Sequence, residues 1–83
     1  MGYRVLLVDD EPAITGNLAP LLERAGFTAA VAADGEEALR QVATFAPDLI
    51  VLDVLMPRLD GRETLRRLRQ AGNWMPVILL TQV

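Results

Sequence analysis

Four stretches of the chain are apolar runs with little alternation: residues 3–8, 28–33, 48–53 and 76–81. Unbroken Leu, Ile and Val suggest strands buried on both faces, as in a parallel sheet. The second run is the weakest, mostly Ala and Val. Between the runs the period changes. Ile14, Leu18, Leu21, Leu22 and Ala25 follow at spacings of 4, 3, 1 and 3, one apolar stripe of an amphipathic helix. Pro12 suits the first turn of that helix and Gly26 its end. Pro20 lies inside it, cannot bond back to Gly16, and predicts a kink. Asp34 and Glu37 have capping-box spacing. The helix they open carries Ala38, Leu39, Val42, Phe45 and Ala46 and stops before Pro47. Asp60 or Gly61 opens a third helix. Leu65, Leu68 and Ala71 form its narrow apolar stripe, Arg62, Arg66, Arg67 and Arg69 make the rest basic, and Gly72-Asn73 ends it. The order is strand, helix, strand, helix, strand, helix, strand. Such strict alternation calls for a parallel sheet with right-handed crossovers and helices on its faces, an α/β fold.

Composition narrows the chemistry. The 83 residues make one small domain, with no repeat and no linker. A net charge of −3 gives no general attraction to nucleic acid or to an anionic membrane. There is no cysteine, hence no disulfide framework and no thiolate metal site. There is no histidine, which removes the usual general base and the commonest metal ligand. All eight basic residues are Arg. The first apolar run is far too short for a signal peptide or a membrane span, and it ends in Asp9-Asp10-Glu11. Met1-Gly2 opens like a myristoylation signal, but Leu6 stands where Ser or Thr is needed. A cytoplasmic protein is the expectation.

Three of the strands end in polar groups: Asp9-Asp10 after the first, Asp53 at the third, Thr81 at the fourth. In a parallel sheet these ends share one edge, where α/β folds place their ligand sites. Any one of these residues alone reads as turn chemistry or as the cap of the next helix. Asp60 reads as such a cap, and Thr81 alone as a strand residue. Together the carboxylates would repel one another and resist ionising, and a hard divalent cation would relieve that. Few ligands, all oxygen, with room for water, fit Mg2+ better than a Ca2+ cage. A carboxylate beside such an ion is also able to act as a nucleophile towards phosphorus.

Val-Asp-Asp-Glu at 8–11, Asp-x-x-Met-Pro-x-x-Asp-Gly at 53–61 and Pro-Val-Ile-x-Leu-Thr at 76–81 occur in order, with Asp-Gly-Glu-Glu-Ala-Leu at 34–39 between them. By these motifs the whole chain resembles the receiver domain of bacterial response regulators. The resemblance implies a flavodoxin-like (CheY-like) three-layer fold with strand order 2-1-3-4. It implies that Asp53 is the phosphoacceptor, taking a phosphoryl group from a sensor histidine kinase. Asp10 and Asp53 would hold Mg2+ directly, Asp9 through water, with the backbone carbonyl of Leu55 completing the protein ligands. Thr81 would be the switch hydroxyl, and Pro57 and Gly61 would shape the active-site loop.

Receivers of this kind continue through further βα units, and their fifth strand ends in a Lys that pairs with the phosphoryl group. The expectation is therefore that residues 1–83 are the N-terminal two-thirds of a receiver, impaired in phosphorylation, with Gln82 crowding the site. The fourth strand would be an apolar edge and one sheet face would lie uncovered beside the first helix, so self-association is expected. A second reading is a non-signalling interaction or assembly module that keeps a receiver-like fold for its surfaces, the Arg-rich third helix among them. An enzyme reading falls on two residues. Leu55 stands where an Asp-nucleophile phosphatase needs a second acid, and Asp-Asp-Glu-Pro replaces the glycine-rich turn of a dinucleotide site. Neither nucleic-acid nor membrane binding is expected of this segment.

Overall fold

The order of the strands across the sheet is what positions everything else. In the computed structural model, which describes residues 2–56 and 59–80, β1 (Arg4–Val8), β2 (Thr28–Ala32), β3 (Leu49–Asp53) and β4 (Val77–Leu80) form one parallel sheet in the order β2-β1-β3-β4. The connections are α1 (Pro12–Arg24), α2 (Gly35–Phe45) and α3 (Gly61–Gln70). Both the α/β alternation and the 2-1-3-4 order are as expected. Val8 lies level with Leu52 and Ala32, and Asp53 with Leu80, so the carboxyl ends of the strands are flush.

The sheet is buried unequally. Leu6, Val8, Ala32, Ile50 and Leu52 face Ala38 and Val42 of α2 and Leu68 of α3, and these form the core. Alternate residues along the strands point the other way. There Val5 and Leu7 are buried, and α1 packs over β1 and β2. Among the described residues the β3–β4 half of that face is only partly covered: Ile14, Thr15 and Leu18 of α1 border Val51 and Leu80, and Ile78 and Leu80 are 49% and 41% exposed.

The same asymmetry corrects the expected stripe of α1. Ile14 and Leu18 are only partly covered and Leu21 is 55% exposed, whereas Thr15 is buried. Periodicity identified the apolar side of the helix, but the helix lies towards the β2 flank, so only one margin of its stripe meets the sheet. Pro20 does not end the helix, which runs on to Arg24. Both Gly16 and Pro20 are exposed, so the Gly16 carbonyl that Pro20 cannot serve is open to water. Gly26, at φ 98°, closes α1 as a left-handed stop.

The caps of α2 and α3 follow their sequence signals. Asp34 Oδ1 accepts from the Glu37 amide at 2.8 Å, and Asp60 Oδ1 accepts from the Glu63 amide at 2.9 Å. The return bond of the capping box is displaced by one residue: Glu37 Oε2 accepts from the Ala33 amide, not from Asp34. Strand boundaries move by one residue in each strand, and Ala33 lies outside β2 and Pro76 outside β4. Tyr3 lies outside β1, although its carbonyl accepts from Thr28 N. Asp48 lies outside β3, its carboxylate accepting from the Arg4 amide at 2.8 Å. Helix α2 ends on Ala46, which is left-handed at φ 52° where Gly is the usual residue. The left-handed region costs an L-residue about 1 kcal/mol. Ala46→Gly is therefore expected to stabilise the fold by about that amount, read as a higher denaturation midpoint with an unchanged slope.

Candidate functional site

Strand register brings the acidic residues together. Because Val8 pairs with Leu52, the next residue of the first strand segment, Asp9, comes level with Asp53 on the adjacent strand. Carboxylate oxygens of Asp9, Asp10 and Asp53 lie within 4.8 Å of one another. Asp53 is only 8% exposed, Asp9 is half-buried and Asp10 is exposed, so the group is graded from sheet end to solvent.

Short-range bonds orient two of the three. Asp9 Oδ1 accepts from the Glu11 amide at 2.9 Å, and the Asp9 amide donates to Ala32 O at 3.1 Å. Asp53 Oδ1 accepts from the Leu55 amide at 3.2 Å. These bonds hold each carboxylate but do not neutralise it. Burial raises the Asp9 carboxyl above the ordinary carboxylate range, the Glu11 amide opposes this, and the charges of Asp53 and Asp10 raise it further. A site of oxygen donors with excess negative charge, one side of it wet, fits a hard divalent cation.

The loop after β3 is anchored by backbone. Val54 N donates to Leu80 O, and Gly61 N donates to Val54 O at 3.1 Å. A Cβ on Gly61 would run into the Asp53 and Val54 backbone. Gly61 thus lets the start of α3 sit directly on the end of β3. Beside the carboxylates opens a cleft of about 510 Å³ lined by Asp10, Val54, Leu55, Met56, Asp60 and Arg62. Asp60 is the helix cap it was expected to be, and it lines this cleft as well. Arg62 was counted only with the basic face of α3. Its place at the cleft depends on how α3 meets β3, and no motif marks it. Thr81 and Pro57 lie outside the described residues.

A parallel 2-1-3-4 sheet with three carboxylates gathered at the ends of β1 and β3 is the arrangement of a flavodoxin-like domain with an acidic site at its strand ends. The chain belongs to the response regulator receiver domain family, whose model matches residues 5–83. It is 48% identical over 81 residues to the alkaline phosphatase synthesis transcriptional regulatory protein PhoP of Bacillus subtilis, covering 98% of this chain and 34% of that protein. It is 47% identical to the response regulator MprA of Mycobacterium ulcerans, covering 98% and 35%. The chain thus spans about a third of the length of these curated relatives. Among solved structures it superposes on the chemotaxis protein CheY4 of Vibrio cholerae with a TM-score of 0.94 at 33% identity, covering all of this chain and 71% of that one. It also superposes on the response regulator TrrA of Thermotoga maritima, solved in complex with Mg2+-BeF, with a TM-score of 0.88 at 38% identity, covering 98% and 70%. No helix among the described residues is long and apolar enough to cross a membrane.

The crowded carboxylates set a pH dependence. Asp9 holds a proton more tightly folded than unfolded, so in chelator the fold should gain stability as pH falls from neutral through its raised value. Asp9→Asn keeps an acceptor for the Glu11 amide while removing the charge. Denaturation in chelator should show it more stable than the unsubstituted chain near neutral pH, with a flatter pH dependence over that range.

Proposed function

We propose that this chain is the phosphoacceptor receiver module of a cytoplasmic two-component response regulator, with Asp53 as the acceptor and a sensor histidine kinase as the donor. The observation that carries the reading is the meeting of Asp9, Asp10 and Asp53 within 4.8 Å at the flush end of β1 and β3. Asp53 is the most buried of the three, and its second oxygen is not engaged by the Leu55 amide. That oxygen attacks the phosphorus of a phosphohistidine. The new O–P bond forms as the P–N bond breaks, and the leaving imidazole nitrogen keeps the electron pair and takes up a proton. Asp10 and Asp53 directly, Asp9 through water, and the Leu55 carbonyl would hold Mg2+. Such an ion supplies charge neutralisation of the phosphoryl oxygens during transfer. Thr81 is proposed as the switch hydroxyl, and Pro57 with Gly61 as the residues shaping the loop.

Transfer onto Asp53 changes a local charge, and the signal is the response of a two-state surface to it. The chain accepts a phosphoryl group and releases no product of its own to be counted as turnover, so it is read as a signalling module and not as an enzyme. Transfer by residues 1–83 alone is proposed to be impaired, since these residues hold no Lys to pair with the phosphoryl group. A fold kept only for its surfaces is the weaker reading, because clustered carboxylates cost stability and serve no packing purpose. Incubation with acetyl phosphate and Mg2+ should give a phosphate adduct on Asp53, absent in chelator and in Asp53→Asn. An adduct that survives Asp53→Asn would sink the assignment.

Self-association through β4 belongs to the same proposal. Among the described residues β4 has a neighbour only on its β3 side, and its four residues are all aliphatic with no charge or Pro to blunt the edge. Such an edge is complementary to itself, so a second copy is the proposed occupant. Sedimentation of the 83-residue chain should show association that rises with concentration and that Ile78→Lys weakens. A well-folded monomer at micromolar concentration would count against it.

A further inference from the structure

The basic face of α3 is not uniformly a solvated surface. Arg66 and Arg67 both pair with Glu63, whose carboxyl is held down to about 2 by their bonds. Arg69 donates from Nη1 to the carbonyls of Asn73 and Met75 and lies over the Trp74 ring, fastening the turn into β4. Arg62 differs. It makes no hydrogen bond or ion pair among the described residues. It sits in the first turn of α3, where the helix dipole favours acids and penalises a cation. It lines the cleft of about 510 Å³ together with Asp10, and it is the only basic side chain among the described residues that does so. A cation placed against the dipole and left without a partner gains nothing for the fold. It gains something only when an anion enters.

The incoming group is such an anion. A phosphoryl donor bears negative oxygens and approaches three carboxylates, which repel it. A guanidinium at the mouth offers paired donors in the geometry that phosphate oxygens accept. We propose that Arg62 is a specificity-determining residue of phosphoryl transfer to Asp53, binding the anionic phosphoryl group of the donor as it enters the cleft. This rests on the assignment of Asp53 as acceptor. Arg62 acts on capture of the donor and not on the bond exchange at phosphorus, so its loss raises the donor concentration needed and leaves the saturated rate nearly unchanged.

The test uses the intact protein with Mg2+ and acetyl phosphate, following adduct formation on Asp53 over a range of donor concentrations. Arg62→Ala should raise the half-saturating concentration about tenfold, the worth of one hydrogen bond to a charged group. Arg62→Lys should recover part of the loss and Arg62→Glu should deepen it. Arg40→Ala removes the same charge from an exposed position of α2 and should change neither value. Mg2+ titration followed by amide chemical shifts should show binding to Arg62→Ala at least as tight as before, because a cation has left the neighbourhood of the carboxylates. Unchanged half-saturation in Arg62→Ala, or an equal loss in Arg40→Ala, would overturn the inference while leaving Asp53 as acceptor. Weakened Mg2+ binding in Arg62→Ala would overturn it too, by making Arg62 a support of the metal site. An unsubstituted protein that forms no adduct would overturn the acceptor assignment and this inference with it.

Discussion

The constraint on which the rest depends is the parallel register of β1 and β3. Pairing Val8 with Leu52 leaves the two strands ending at the same level, so the residues that follow the apolar runs meet. The carboxylates do not assemble by attraction; they repel. They are held together because Leu6, Val8, Ile50 and Leu52 are buried beneath them, and a slip of one residue would turn those side chains to the opposite face. Burial of the strands therefore stabilises a site that electrostatics alone would disperse. That is why a site of like charges sits at the edge of the best-packed part of the molecule.

The start of α3 is the second element of this arrangement. Gly61 lies against the Asp53 and Val54 backbone, and its amide donates to Val54 O. Asp60 closes the helix N-terminus and borders the cleft at once. Gly35 makes a similar approach between α2 and α3, where a Cβ would meet Thr64 and Leu59. Two glycines thus set how closely α3 lies to the sheet and to α2. The position of Arg62 at the cleft follows from that closeness.

Much of this was legible in the chain. The βα alternation, the caps at Asp34 and Asp60, the stops at Gly26 and Gly72, and the trio Asp9, Asp10 and Asp53 could all be read from local pattern or motif. What misled was the stripe of α1. Ile14, Leu18 and Leu21 are spaced as a buried face, yet the helix meets the sheet along the margin that carries Thr15. Spacing tells which side of a helix is apolar; the placement of the helix across the strands tells how much of that side is covered. Arg62 was missed for a related reason. Four Arg on one helix look alike in sequence, and only their partners separate them.

The sequence by itself determined the elements, their order and the residue types that could do chemistry, because each of these depends on neighbours within a few positions along the chain. Tertiary structure decided which carboxylates share a site, which half of the second sheet face is less covered, and which Arg of α3 has no hydrogen bond or ion pair among the described residues. Those properties depend on register and on the approach of helix to sheet, and both are set by side chains distant in sequence. Asp9 and Asp53 are neighbours because two apolar strands align, and no local signal in either strand states their separation.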